Sequence, residues 1–185
     1  MSRLRTLIRK AGIRPRKSLG QSFLEDEGVI QRIVQCAHID AGDTVIEIGA
    51  GLGMMTEAVA HCAERVVAVA IDPTLVRTLD TRLRALRNIE ILAGDILRCD
   101  LDRMAVQFGL KPPYKVVGNV PYHISSPILF KMLDDRTRIS AMCLMLQREV
   151  ADRLIANSGT RAYGILSVLM DMYAEMNKEF DVPPE

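Results

Sequence analysis

The chain has 185 residues, 49% hydrophobic and 25% charged, with a net charge of +1. That is enough for one domain with a real core, and no apolar run approaches the roughly 18 residues of a membrane span. No apolar segment follows the basic N-terminus as a secretory signal would require, and four scattered cysteines (Cys36, Cys62, Cys99, Cys143) with three histidines show no metal-ligand spacing, so they read as reduced thiols of a cytoplasmic protein without a metal site.

Charge is unevenly placed. Residues 1–24 hold seven cations (Arg3, Arg5, Arg9, Lys10, Arg14, Arg16, Lys17) and no acid, leaving 17 cations against 23 acids in residues 25–185. A basic arm (1–24) before a mildly acidic body (25–185) suits a phosphate-backbone partner, with Arg14, Arg16 and Lys17 as candidate RNA contacts. A solvated tail has the same composition.

In chain order, strand and helix patterns alternate. Asp26 to Ile39 carries Val29, Ile30, Ile33, Val34 and Ala37 on one helical face, with Asp26 as N-cap. Thr44 to Ile48 is a short β-rich run ending in glycines. Leu52 to Cys62 reads as a helix and Arg65 to Ile71 as a second strand. Pro73 suits the first position of a helix running to Leu86. Asn88 to Leu92 is a third strand ending at Gly94-Asp95, and Asp100 to Phe108 a helix closed by Gly109. Tyr114 to Val117 is a fourth strand, followed by the turn Asn119-Val120-Pro121-Tyr122 and a helix from Ser125 to Leu133. The apolar run Ile139 to Leu146 predicts a buried fifth strand. Glu149 to Ala156 and Gly164 to Met172 predict helices, and Ala174 to Phe180 a strand. Apolar strands separated by amphipathic helices predict an α/β fold, a mainly parallel sheet with helices on both faces. Ligands of such sheets bind beyond the carboxyl ends of the strands. Gly49 to Gly53, Ala70 to Asp72, Gly94-Asp95 and Asn119 to Tyr122 all fall on that edge.

Glu47-Ile48-Gly49-Ala50-Gly51-Leu52-Gly53 is a GxGxG pattern. Glycines there allow a tight turn and close approach by a ligand. A dinucleotide enzyme would seat a pyrophosphate on this loop, but Glu47 repels phosphate and suits a cationic amino-acid group, which favours S-adenosylmethionine over a nicotinamide cofactor. A purely structural turn is the alternative. Asp95 can accept from an adenine amine or cap the next helix. Asp72 precedes Pro73 as an N-cap would, or substitutes as a ribose ligand.

Asn119 to Tyr122 is the sharpest signal. An exocyclic adenine amine is a poor nucleophile because its lone pair is delocalised into the ring. The Asn119 side-chain oxygen and the Val120 or Pro121 carbonyl can accept from that NH₂ and stabilise the charge that grows on nitrogen during attack, while Tyr122 stacks on the base. Orientation would drive such a transfer, without a strong base. His123 reads as a solvated loop residue, and Met142, Met145, Met170 and Met172 as core filling.

From about Arg16 onward these motifs resemble the ribosomal RNA adenine dimethyltransferases. The resemblance rests on Lys17 to Leu24, Glu47 to Gly53, Ile71-Asp72-Pro73, Gly94-Asp95, Gly118 to Pro127, Gln147 to Leu154 and Gly159 to Gly164. It implies a Rossmann-like, class I S-adenosylmethionine-dependent methyltransferase. The implied reaction is N6,N6-dimethylation of two adjacent adenines near the 3′ end of 16S small-subunit rRNA, by a monomer acting on a ribosomal subunit or assembly intermediate. Ser22, Leu24, Glu47, Gly49, Gly51, Gly53, Ala70, Asp95 and Asn119 would line the cofactor site. Asn119, Pro121 and Tyr122 would hold a flipped adenine.

Three departures qualify the resemblance. Ser22 stands where the family usually has Asn or His. Ala70 stands where it usually has the ribose-binding Glu, which predicts weakened cofactor binding. The family also continues with a second stacking aromatic, a final strand and a small helical domain beyond the last residues seen here, so the expectation is an N-terminal catalytic domain without that C-terminal helical domain. Two other readings stay open. One is a catalytically silent rRNA-binding module of ribosome assembly, motivated by Ala70. The other is a large-subunit rRNA adenine methylase of the antibiotic-resistance type. Lys17 to Leu24 and Gly159 to Gly164 lean toward the small-subunit enzyme.

Overall fold

The computed structural model describes residues 8, 13 and 23–183. Five strands, β1 (Thr44–Ile48), β2 (Arg65–Ala70), β3 (Ile89–Ala93), β4 (Tyr114–Asn119) and β5 (Ile139–Met145), form one sheet in the order β3-β2-β1-β4-β5. Every pairing is parallel. Among the described residues, seven α-helices join or flank them: α1 (Glu27–Cys36), α2 (Met54–Ala60), α3 (Pro73–Leu83), α4 (Leu101–Phe108), α5 (Ser125–Asp134), α6 (Arg148–Leu154) and α7 (Ile165–Tyr173). This is a Rossmann-like doubly wound fold. Its strand order reverses between β1 and β4, which opens a crevice at their carboxyl ends.

Alternation along the strands explains both covered faces. Ile46, Ile48, Val67, Val69 and Val116 face one way, onto Leu101 and Met104 of α4 and Ile128 and Met132 of α5. Val45, Val66 and Val117 face the other, onto Ile30, Ile33 and Val34 of α1 and Met55 and Val59 of α2. Ala68 and Ala70 meet Leu79 and Leu83 of α3 on that second side. The α6–α7 pair is seated on α5 through Leu129, Leu133, Leu154 and Met170.

Local chemistry sets the boundaries. Asp26 caps α1 by accepting from the Gly28 and Val29 amides at 2.8 and 3.1 Å. Asp72 caps α3 through Thr74 N–H at 2.8 Å, and Pro73 opens that helix. Gly109, with φ of 62°, ends α4 as expected. α2 begins only at Met54, because Gly49, Gly51 and Gly53 hold φ of 74°, 55° and 78° and the chain is still turning there.

Two expectations are corrected. β5 is half-buried with Ser140 and Ala141 exposed, not a buried strand: it lies at the edge of the sheet and pairs with β4 alone among the described residues. Ala174 to Phe180 is not a strand, since it joins no ladder. It crosses α1 and α6 as an extended strap instead, with the Arg32 guanidinium 3.9 Å over the Phe180 ring and Lys178 3.7 Å from Asp152. Alternation and β-propensity need a partner edge to become a strand, and here side-chain contacts hold the segment.

Candidate active site

The carboxyl edge of the sheet is laced together by backbone bonds. The Gly49 and Ala50 amides both donate to the Val69 carbonyl at 3.1 Å, Gly94 N–H to Ala70 O at 3.0 Å, and Val120 N–H to Met145 O at 3.0 Å. All four predicted motifs therefore sit on one rim. Within it, a cleft is lined by Phe23, Leu24, Glu47, Gly49, Ala50, Gly51, Leu52, Met54, Met55 and Asn119. Of the residues expected at the cofactor site, Leu24, Glu47, Gly49, Gly51 and Asn119 meet there. The glycine loop and the end of β4 touch: a side chain built at Gly49 would stand 3.5 Å from the Asn119 carbonyl oxygen.

Glu47 is the electrostatic centre of this cleft. It points from β1 toward α2 on the Val45 side and is 1% exposed. Burial pushes its carboxyl up to about 7, against the pull of the neighbouring Thr56 hydroxyl and Arg82 charge. Its Oε2 and the Thr56 Oγ1 lack full hydrogen-bond partners among the described residues. A buried, unsatisfied carboxylate beside a bare glycine backbone is costly unless something cationic meets it. The site thus fits a ligand with an ammonium group and a flat or extended body lying over the loop.

The other expected residues fall elsewhere on the rim. Gly53 is outside the cleft lining and faces α3, where a Cβ would be 2.6 Å from Leu79 Cδ2 and 2.9 Å from Arg82 Nη1. Ala70 is packed among Ala50, Leu79 and Leu83 and brings no polar group to the end of β2. Asp95 accepts from Leu97 N–H at 3.0 Å, capping the single turn Ile96–Arg98. Asp72 is buried in its capping role. Ser22, Arg14, Arg16 and Lys17 lie outside the described residues.

The turn after β4 is built for acceptors. The Pro121 carbonyl is occupied inside the turn, by Ile124 N–H at 3.1 Å and the Ser125 hydroxyl at 3.2 Å. The Val120 carbonyl accepts no bond among the described residues. Tyr122 is 56% exposed and meets the His123 ring edge-on at 5.5 Å, which leaves a ring face open. His123 is itself exposed.

Sequence reasoning missed several lining residues. Phe23 sits between two expected positions, and its ring lies 3.3 Å from a side chain built at Gly51. Met54 and Met55 occupy the first turn of α2, directly after the glycine loop, and line the cleft. It also missed that Ile8 and Ile13 of the basic arm pack against Leu52 and Leu75, with Ile13 8% exposed. Among the described residues no cluster of His, Cys, Asp and Glu is placed to hold a metal, and no helix is long and apolar enough to cross a membrane.

Residues 12–185 match the sequence model of the family described as Ribosomal RNA adenine dimethylase. The chain belongs to this dimethylase family. A family relative from Syntrophus aciditrophicus, named Ribosomal RNA small subunit methyltransferase A, is 46% identical over 184 residues, which cover 100% of this chain and 65% of the relative. Among solved structures, a dimethyladenosine transferase from Plasmodium falciparum superposes with a TM-score of 0.71 at 28% identity, over 82% of this chain and 52% of that one. The 23S rRNA methyltransferase ErmE superposes with a TM-score of 0.64 at 28% identity, over 75% of this chain and 53% of that one. The chain thus spans just under two thirds of the relative from Syntrophus aciditrophicus. The dimethylase fold places β1, its glycine loop and the end of β4 as the walls of one cleft.

Proposed function

We propose that this protein is the catalytic domain of an rRNA adenine N6,N6-dimethyltransferase. It transfers methyl groups from S-adenosylmethionine to two adjacent adenines near the 3′ end of 16S rRNA, as a cytoplasmic monomer acting on the small subunit or its assembly intermediate. The observation that carries this reading is the unsatisfied Glu47 carboxylate facing a glycine-walled cleft whose opposite wall is Asn119. When bound, S-adenosylmethionine supplies an electrophilic methyl on a sulfonium. Glu47 receives its ammonium group, and Gly49 and Gly51 let its body approach the backbone. Asn119 closes the cleft and turns its amide toward the adenine amine.

Within the adenine clamp the second acceptor is the Val120 carbonyl, since the Pro121 carbonyl is engaged inside the turn. Pro121 contributes a fixed φ of −57° that aims Val120 and Tyr122. Tyr122 stacks on the flipped base. Two acceptors on one amine favour a pyramidal nitrogen, and alignment with the methyl supplies most of the acceleration.

Small subunits are favoured over large ones by the family relative's name and its 46% identity, against 28% for ErmE. The test is incubation with labelled S-adenosylmethionine and unmodified small subunits. Label on adenine N6, reduced about 10²–10³-fold by Asn119→Ala, is expected. Absence of label from a version carrying Ala70→Glu and the full length of the relatives would refute the reading. The silent assembly module remains a second reading because Ala70 brings no ribose partner to the rim. Undetectable cofactor binding together with retained, salt-sensitive rRNA binding would favour it.

A further inference from the structure

The glycine loop is held from beneath by a residue that no motif announces. Arg82, late in α3, has a side chain only 12% exposed. Its Nη1 donates to the Leu52 carbonyl at 2.7 Å, and its Nη2 pairs with the Glu57 carboxylate of α2. The same guanidinium occupies the space where a Gly53 side chain would stand. Glycines leave a loop with the most backbone freedom, so one bound shape requires anchors. The start of this loop is anchored by Gly49 and Ala50 on the Val69 carbonyl, and its middle by Gly53 N–H on Ala50 O at 2.8 Å. At its far corner the Leu52 carbonyl is held by Arg82.

Arg82 also acts on the cleft's charge. Two groups bear on Glu47, Thr56 from α2 and Arg82 from α3, and Glu57 of α2 is the ion-pair partner of that arginine. Arg82 is the positive one, and it opposes the burial that raises the Glu47 carboxyl. Glu57 is already paired with Arg82 on its outer side.

We propose that Arg82 is a positioning residue of the cofactor cleft: its planar fork locks the Leu52–Gly53 corner to α2 and α3, and so keeps the loop in the shape that presents Glu47 to the amino-acid end of the cofactor. The proposal rests on the S-adenosylmethionine reading of the cleft. It separates a geometric role, which needs the fork, from an electrostatic one, which needs only the charge. Lysine retains the charge without the fork, and methionine retains neither.

The experiment compares Arg82→Lys and Arg82→Met, each in a background carrying Ala70→Glu so that binding is measurable. Amide hydrogen exchange of residues 49–53 is read in the ligand-free protein against β1 and β2 amides as internal reference. S-adenosylhomocysteine affinity is titrated calorimetrically from pH 6 to 8. Both variants should exchange the loop amides at least about tenfold faster with the sheet amides unchanged. Affinity should fall about tenfold or more in Arg82→Met. Only in Arg82→Met should the pH midpoint of binding move upward, because the positive charge that opposes the burial of Glu47 is then gone. Loop exchange and affinity within twofold of the parent, in a folded Arg82→Met, would overturn the proposal. So would loop and sheet amides accelerating together in both variants, which would mark a merely structural arginine. If the Ala70→Glu parent itself fails to bind, the cofactor reading falls and the assignment of Arg82 falls with it.

Discussion

Glu47 shows how one residue carries both a cost and a use. Its carboxyl is raised from 4.5 to about 7 by burial. Between those values the folded protein holds a proton that the unfolded chain has lost, so stability falls as pH rises through that window and the full penalty is present above pH 7. Glu47→Gln should therefore gain stability over the parent at pH 8 and little at pH 5, with a difference on the order of a few kcal/mol. Urea unfolding at the two pH values measures it; an equal effect at both would mean that Glu47 does not titrate in the fold. Position 70 works in the opposite sense. Ala70 is comfortable among Leu79 and Leu83 but offers no polar group at the end of β2. Ala70→Glu should raise S-adenosylhomocysteine affinity by roughly 10–10³-fold, the worth of one or two charge-assisted hydrogen bonds, and calorimetry reads it directly. The alanine was visible in the sequence. What it touches was not, because a strand-end residue faces whatever helix the fold brings against it.

At the scale of elements, the glycines of the rim separate into different kinds. Gly49 and Gly51 wall the cleft, whereas Gly53 is bare because α3 fills its side-chain space. Gly118, inside β4, stands where a Cβ would be 2.8 Å from the Ile48 carbonyl oxygen of β1. Gly53→Ala combines a left-handed φ of 78° with that contact on Leu79, and should destabilise the protein by roughly 2–4 kcal/mol. Denaturant midpoints would show it, and a loss below about 0.5 kcal/mol would mean that α3 yields easily. The GxGxG spacing located all three loop glycines but could not tell ligand wall from helix contact. That distinction depends on the position of Leu79 and Arg82, some thirty residues away in sequence. The same limit explains the strap at Ala174 to Phe180: its alternation is real, but no strand edge is offered to it, and Phe180 packs under Arg32 instead.

For the whole molecule, charge asymmetry and topology have separate consequences. Residues 1–24 carry seven cations and no acid, while the rest has an acidic excess. If the arm contacts rRNA phosphates, converting Arg14, Arg16 and Lys17 together to Gln should flatten the dependence of log affinity on log salt by roughly 2–3. Fluorescence anisotropy with a small-subunit rRNA helix between low and moderate salt would measure the slope, and an unchanged slope would move the RNA interface elsewhere. Two described residues of the arm, Ile8 and Ile13, settle on Leu52 and Leu75, next to the glycine loop. Local periodicity, turn chemistry and short residue strings already carry the strand–helix alternation, the parallel sheet, the four motifs on its carboxyl edge and the family. Chain packing, by contrast, makes β1 and β4 neighbours and so brings Asn119 against Gly49. It also engages the Pro121 carbonyl while the Val120 carbonyl accepts no bond among the described residues, and it brings Arg82 to the loop from α3. The β1–β4 and Arg82 contacts join segments distant along the chain, which no local pattern encodes; the Pro121 carbonyl is engaged within its own turn, by residues three and four positions on, in a geometry that the residue string does not display.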